Sequence, residues 1–480
     1  MASNWGKAGI SRRTAVAGMV GTAALAVLPG CSTSTGGIKG KLNFLYIMAD
    51  DMGWGDLSCY GRQEYETKVL DQLASEGIKF THAYANSAVC TATRVGLITG
   101  RYQYRLPIGL QEPLGAADVG MPPEHPTIAS LLRKAGYKTT LVGKWHMGSL
   151  PKYGPLQSGY DEFWGCRGGG VDYFRHGFGN NKDLWDGDTP IEKTGYMTDL
   201  LADATIDTLK KRGKDKKPFL ISLHFTAPHW PWEGNDEAGK AESQRASAPG
   251  AADNAFGYDS GSMETYTKMM LSMDENIGRV LDKLKELGMD ENTVVIFTSD
   301  NGGERFSSTW PFTGKKTELL EGGIRVPVIV RWPGVTRPGS TSEEEIISMD
   351  WLPTFVAAAG GKLDPAFPSD GVDIKPAIGG GKLRERTLFW RYTNKGQKAA
   401  LRGRWKYLEI SGNSFLFDIF ADPLERANLK DREPEKFKEL EAAFAEWNKG
   451  MLFDPKAPSY GFTGRQLADH FGIAGQPPAD

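Results

Sequence analysis

Four short apolar runs punctuate the chain: Leu42 to Met48 (LNFLYIM), Phe219 to Phe225 (FLISLHF), Thr293 to Thr298 (TVVIFT) and Val326 to Trp332 (VPVIVRW). They are rich in β-branched and aromatic residues and lack strict polar alternation, the pattern of strands buried on both faces. Between them, Thr127 to Ala135, Thr198 to Lys211 and Met263 to Leu287 repeat apolar positions at helical spacing. Strands separated by helices predict an α/β fold, a large mostly parallel mixed sheet flanked by helices on both faces. From about Arg386 the pattern changes. RTLFWRY, KAALRG, RWKYLEI and SFLFDIF read as short strands at hairpin spacing, followed by a charged helix over Pro434 to Lys449, which predicts a smaller C-terminal antiparallel sheet subdomain. The flexible Gly379-Gly380-Gly381 stretch places the boundary, giving an α/β domain over 41–380 and an α+β subdomain over 381–480.

Two segments fall outside this alternation. Trp232 to Gly261 is a polar, Ala/Gly/Ser/Asp-rich insertion without period, either a substrate lid or a disordered stretch. At the N-terminus, Ser11-Arg12-Arg13-Thr14 leads into an apolar run ending in Leu28-Pro29-Gly30-Cys31. That run is too short to span a bilayer comfortably and reads as an export signal over 1–31, followed by a linker over 32–40. The paired arginines resemble a twin-arginine signal and Leu-Pro-Gly-Cys a lipobox, with Cys31 as the acylated residue; the alternative is a plain signal peptide with an incidental cysteine. Either way the protein is expected to be exported, periplasmic or at the cell surface, with membrane contact only through Cys31.

Composition narrows the partners. A formal charge of −2 with acidic and basic residues interspersed gives no footprint for nucleic acid or an anionic membrane, so any anion is bound locally. Four cysteines, Cys31, Cys59, Cys90 and Cys166, do not make a disulfide scaffold, although a bridge between Cys59 and Cys166 stays open.

The first strand runs into Asp50-Asp51 and the third into Asp300-Asn301. Adjacent carboxylates at buried strand ends repel unless a cation or donors hold them, and strand ends are where open α/β sheets place their sites. Three carboxylates and an amide make an all-oxygen set suited to Ca²⁺ or Mg²⁺; the plain alternative is a pair of turns. Cys90 opens a helix with Arg94 one turn on, where orphan N–H groups and positive charge favour an anion. Unmodified, it is either an activated thiolate or a small buried residue.

Cys90-Thr91-Ala92-Thr93-Arg94 followed by Leu97-Ile98-Thr99-Gly100, and preceded by Ala49-Asp50-Asp51-Met52-Gly53-Trp54-Gly55-Asp56, resembles the type I, formylglycine-dependent sulfatases of the alkaline-phosphatase superfamily. Gly143-Lys144-Trp145-His146-Met147-Gly148, Ala227-Pro228-His229-Trp230-Pro231, Thr298 to Gly303 and Glu321-Gly322-Gly323-Ile324-Arg325 look like that family's further blocks in its order. In the tail, Trp405-Lys406-Tyr407 and Leu416-Phe417-Asp418 do so too. The resemblance implies hydrolysis of sulfate esters on sulfated carbohydrate through a formylglycine made from Cys90 by a separate maturation enzyme. It implies one divalent cation, Ca²⁺ or Mg²⁺, held by Asp50, Asp51, Asp300, Asn301 and the modified Cys90. Arg94 and Lys144 would stabilise the hydrated aldehyde, and one of its hydroxyls would attack sulfur. His146 would take the proton of the second hydroxyl, His229 would protonate the leaving oxygen, and Lys316 would grip a sulfate oxygen. Many relatives have Pro then Ser where this chain has Ala92 and Thr93, which leaves the identity of the converting enzyme open. Gly168 to His176, glycines beside Tyr173, Arg175 and His176, is either a sugar subsite or a surface turn. Competing functions are a phosphomonoesterase or phosphodiesterase of the same superfamily and a non-catalytic protein that binds sulfated glycans.

Overall fold

The computed structural model describes residues 40–110, 118–178, 181–246, 261–454 and 457. The export signal with Cys31, and the insertion from 247 to 260, lie outside the described residues.

A ten-stranded sheet organises the molecule. In chain order its strands are β1 (Asn43–Ala49), β2 (Ile78–Phe80), β3 (Lys138–Gly143), β4 (Glu162–Gly165), β5 (Trp185–Asp186) and β6 (Thr189–Pro190). They continue with β7 (Phe219–His224), β8 (Thr293–Ser299), β9 (Val328–Arg331) and β10 (Ser340–Ser342). The spatial order is β10-β2-β9-β8-β1-β7-β3-β4-β5-β6. The five central strands β8, β1, β7, β3 and β4 run parallel, and antiparallel pairings appear at both margins. The expected mixed, mostly parallel sheet is present.

Alternation within β1 explains the two covered faces. Phe44, Tyr46 and Met48 pack with Leu131, Trp351 and Phe355 on one side, while Leu45, Ile47 and Ala49 pack with Leu73, Leu201 and Met273 on the other. The helices supplying these contacts include α1 (Lys68–Glu76) and α2 (Cys90–Thr99), then α3 (Ile128–Lys134) and α4 (Met197–Asp215). The polar insertion contains α5 (Glu237–Ala246), and α6 (Met263–Glu286) follows it. No helix among the described residues is long and apolar enough to cross a membrane.

Helix α2 carries Cys90, and its own sequence fixes it in place. All ten of its residues are buried, as expected of a helix without a polar face. Thr93 ties it to the preceding loop, accepting from the Ser87 N–H and donating to the Ser87 carbonyl, both at 3.0 Å. The Ser-to-Thr departure therefore keeps a hydroxyl that is used. At its far end Gly100 takes the left-handed conformation (φ 65°) that closes the helix. Gly96 faces Asn86 so closely that a Cβ there would lie 2.5 Å from the amide. Gly96→Ala should lower stability by about 1–3 kcal/mol through overpacking, read as a lower urea midpoint at unchanged slope.

The C-terminal sheet is four antiparallel strands, β11 (Leu388–Tyr392), β12 (Gln397–Arg402), β13 (Trp405–Ile410) and β14 (Asn413–Asp418). A helix over Pro434–Asn448 covers it. Its other face packs Leu388, Trp390 and Leu408 with Val89, Ala92 and Leu319, so it buttresses both the start of α2 and the loop after Lys316.

Candidate active site

Four adjacent parallel strands, β8, β1, β7 and β3, end side by side. The chain leaves β1 into Asp50 and Asp51, β8 into Asp300 and Asn301, β3 into Lys144 and His146, and β7 into the turn holding His229. Register makes this one cluster, because Ala49 pairs with Ser299, Met48 with His224, and His224 with Gly143. The N-terminus of α2 brings Cys90 to it, and the loop after Gly303 returns Lys316, whose N–H bonds the Gly303 carbonyl at 3.1 Å. Every residue expected at the site from sequence lies in this cluster, and all are buried.

Cys90 Sγ lies 3.4 Å from Asp50 Oδ1 and 3.6 Å from Asp51 Oδ1. The carboxylates are each met by a cation: Lys144 Nζ on Asp50 Oδ2 at 2.5 Å, Lys316 Nζ on Asp51 Oδ2 at 2.6 Å, and Arg94 Nη2 on Asp300 Oδ2 at 2.8 Å. Arg94 also reaches Asp50 Oδ1 at 3.4 Å and donates to the Lys144 carbonyl at 3.1 Å. Asn301 donates to Asp51 Oδ1 at 2.7 Å, while its own Oδ1 is buried without a hydrogen-bond partner. One oxygen or sulfur from each of Asp50, Asp51 and Cys90, together with a ring nitrogen of His229, lie within 4.8 Å of one another. The chain accepts backbone strain to do this, since Asp51 (φ 61°) and His146 (φ 53°) both sit in the left-handed region.

Burial dominates the electrostatics here. It pushes Asp50 well above the carboxylate range in spite of Lys144. It would do the same to Asp51, but Lys316 holds that carboxyl low, and Arg94 with Lys144 holds Asp300 low against the same burial. Burial and the Asp300 charge raise the Cys90 thiol strongly, which disfavours the activated-thiolate alternative. His146 is pushed well down by burial and by Lys144, which holds its ring neutral. Burial also lowers His229 to about 3; its Nδ1, 2.5 Å from the Trp230 carbonyl, can only donate there, which leaves Nε2 facing Asp51 Oδ2 at 3.4 Å.

One neighbour, His224, carried no signal of its own in the sequence. His224, the last residue of β7, places Nδ1 3.4 Å from Arg94 Nη1 and 3.3 Å from the Lys144 carbonyl. The Gly168 to His176 run lies against the two histidine rings of the site through its glycines, and Tyr173 reaches the His229 backbone. A Cβ on Gly169 would lie 2.4 Å from His146 Nε2, and one on Gly170 would lie 3.4 Å from His229 Cε1 and from the Trp230 ring. Tyr173 is buried with its hydroxyl on the Thr226 and His229 carbonyls, Arg175 pairs with Asp172, and His176 bonds the Gly195 carbonyl. Cys59 and Cys166 are free thiols, not a bridge; Cys166 is buried under the site, and the Cys59 N–H bonds Asp71.

Comparison with known proteins agrees with this geometry. The Sulfatase family model matches residues 42–361. The chain is 31% identical to the N-acetylgalactosamine-6-sulfatase of Canis lupus familiaris over 421 residues, covering 82% of this chain and 76% of that protein. It is 28% identical to the N-acetylgalactosamine-6-O-sulfatase of Bacteroides thetaiotaomicron, covering 87% and 96% of the two chains. Among solved structures, that of Ps i-CgsB in complex with k-i-k-neocarrahexaose superposes with a TM-score of 0.78 at 26% identity, covering 90% of this chain and 98% of that one. The chain belongs to the sulfatase family and is a sulfuric ester hydrolase of the alkaline-phosphatase-like fold.

Proposed function

We propose that the protein removes sulfate from sulfated carbohydrate, using a formylglycine generated from Cys90 by a maturation enzyme and one divalent cation, Ca²⁺ or Mg²⁺. The observation that carries this is the convergence of four strand ends on Cys90. Three carboxylates and an amide stand on one side of it, and two lysines, an arginine and two histidines complete the cluster. Relatives whose names specify an amino-sugar 6-sulfate, and a similar structure holding k-i-k-neocarrahexaose, favour a sugar substrate.

The residues fit a hard cation. Asp50, Asp51 and Asp300 offer carboxylate oxygens, and the Asn301 Oδ1, buried and without a partner, completes an oxygen donor set with position 90 at its edge. A bound ion would supply charge neutralisation for sulfate oxygens and would acidify a hydroxyl at position 90, and the hydrated aldehyde would offer one hydroxyl to form the bond to sulfur as the alcohol leaves and a second whose deprotonation re-forms the aldehyde and releases sulfate. The chain's own groups do the rest. Lys144 and Arg94 hold Asp50 and Asp300 in place and keep positive charge beside position 90. Lys316 and His229 converge on the other side, at Asp51, where they meet a sulfate oxygen and the departing oxygen. His146, which follows β3 and is tied to α2 through the Thr91 hydroxyl on its carbonyl at 2.9 Å, takes the proton whose loss expels sulfate. The leader over 1–31, with Cys31 as lipid anchor, would place this chemistry outside the cytoplasm, facing polysaccharide.

Sulfated mono- and oligosaccharides should release inorganic sulfate with the matured protein. Inactivity on all of them alongside release of phosphate from phosphate esters would refute the proposal. Dialysis against a chelator should lower turnover at least about tenfold, with recovery on adding Ca²⁺ or Mg²⁺. Full activity in metal-free protein would remove the cation from the site.

A further inference from the structure

We infer that Asp183 is a positioning residue for the proton-transfer step, acting through the glycine strap Gly168–Gly170 that walls the two histidines; this rests on the role given to His146 above.

The strap begins where the chain passes His146. The His146 N–H donates to the Arg167 carbonyl at 3.1 Å, and two residues later Gly169 lies directly against the His146 ring, where any Cβ would intrude to 2.4 Å from Nε2. The same short segment therefore touches both ends of His146, its strained backbone and its reactive nitrogen. Nothing in a glycine run holds its own shape, so the strap needs an external anchor.

Asp183 supplies it from across the sheet margin. Its Oδ1 accepts from the Arg167 N–H at 3.0 Å and from Trp185 Nε1 at 2.7 Å, and its Oδ2 accepts from the Gly168 N–H at 2.6 Å. Both carboxylate oxygens thus receive N–H donors, which only a side chain with two acceptors can satisfy. The Asp183 N–H is itself held by the His176 carbonyl at 2.8 Å, so the anchor belongs to the folded framework.

Asp183→Asn tests this directly. One carboxamide face must present an NH₂ group to N–H donors, so the strap loses at least one of its ties while the volume stays constant. The expected result is a fall in turnover of about 10–100-fold with KM falling in parallel, so that kcat/KM changes less than about threefold, since a displacement near 1 Å at a group serving only the release step costs that much. Because His146 serves the release of sulfate and not the first displacement, p-nitrophenyl sulfate should give a burst of one phenol per site followed by slow turnover. A structural role alone would not produce that burst. Asp183→Glu, which keeps two acceptors, should recover part of the rate. Gly169→Ala approaches the same contact from the other side and should reproduce the burst even where Asp183→Asn fails to fold.

Wild-type turnover in Asp183→Asn, or proportional loss of both phases in Gly169→Ala, overturns the inference. His146→Ala separates the two levels. Turnover surviving in His146→Ala refutes the role of the histidine itself, whereas loss there with full activity in Asp183→Asn refutes only the anchor.

Discussion

Cys90→Ala should abolish sulfate release, with turnover falling by about 10⁴-fold or more, while the protein remains folded. The thiol is buried at the start of a fully buried helix, its Sγ between the Oδ1 atoms of Asp50 and Asp51. Cys90 is the thiol placed against those carboxylates, and Lys144 meets Asp50 beside it. Truncation removes one sulfur atom from the packing and costs about 1 kcal/mol, too little to unfold a domain of this size. The companion measurement is mass spectrometry of the tryptic peptide Phe80 to Arg94 of the active protein, which should carry an aldehyde where the gene encodes the thiol. An active preparation whose peptide is wholly thiol would sink the formylglycine mechanism, and substantial turnover by the alanine variant would remove Cys90 from catalysis altogether. The same variant should keep its affinity for the divalent ion within about tenfold, because the four oxygen donors at the two strand ends are untouched.

How far the sequence alone carries this site depends on which physical signal each part leaves. The strands β1, β7, β8 and β9 are predominantly apolar runs, the composition that suits a strand buried on both faces of a sheet. Acidic and amide residues straight after two such runs therefore stood out as a strand-end site. Strand β3, which presents Lys144 and His146, is KTTLVG, and its polar start and two threonines hide it from the same criterion. Antiparallel pairing of β9 and β2 is equally invisible, because direction is set by how the chain returns and not by side-chain pattern. The positive φ of Asp51 and His146 has no local signature, since neither is glycine; the surrounding packing imposes it. The glycine run at 168–170 stands out in the sequence, but as part of either a sugar subsite of aromatic and guanidinium groups or a surface turn. In the fold its lack of side chains is what matters, because the backbone has to approach two histidine rings. His224 and Asp183 act only through residues distant in sequence, Arg94 and the strap, and the pattern along the chain carries no trace of such pairings.

Lys406→Ala should produce the largest loss of stability, about 3–5 kcal/mol at neutral pH, by leaving buried carboxylates without their cation. Lys406 projects from β13 with no solvent exposure and bonds Glu321 Oε1 at 2.9 Å and Glu425 Oε1 at 2.8 Å. Glu321 keeps Arg325 at 3.1 Å and the Tyr84 hydroxyl at 2.9 Å, but Glu425 loses its counter-charge and retains only the Glu321 N–H at 2.7 Å. The penalty must depend on pH, and the sign follows from the two acids. Burial opposes ionisation of Glu321, yet Lys406 and Arg325 hold its pKa down to about 2, so its contribution is present above the ordinary glutamate value and lost as pH falls through about 2. Burial raises Glu425 to about 7 in spite of Lys406, so the folded protein holds a proton that the unfolded chain releases, and stability falls as pH rises from the ordinary glutamate value through about 7. Without Lys406 both carboxyls titrate higher. The cost of the substitution should then be smallest near pH 2, where Glu321 too becomes protonated, and rise to its greatest near pH 8, as measured by urea unfolding across that range. A cost independent of pH, or below about 1 kcal/mol at pH 8, would show that the buried triad does not hold the two sheets together. Activity should decline with it, because Gln397 of the same C-terminal sheet bonds the Thr317 carbonyl at 2.8 Å and the Leu319 N–H at 2.8 Å, fixing the loop that carries Lys316 to Asp51.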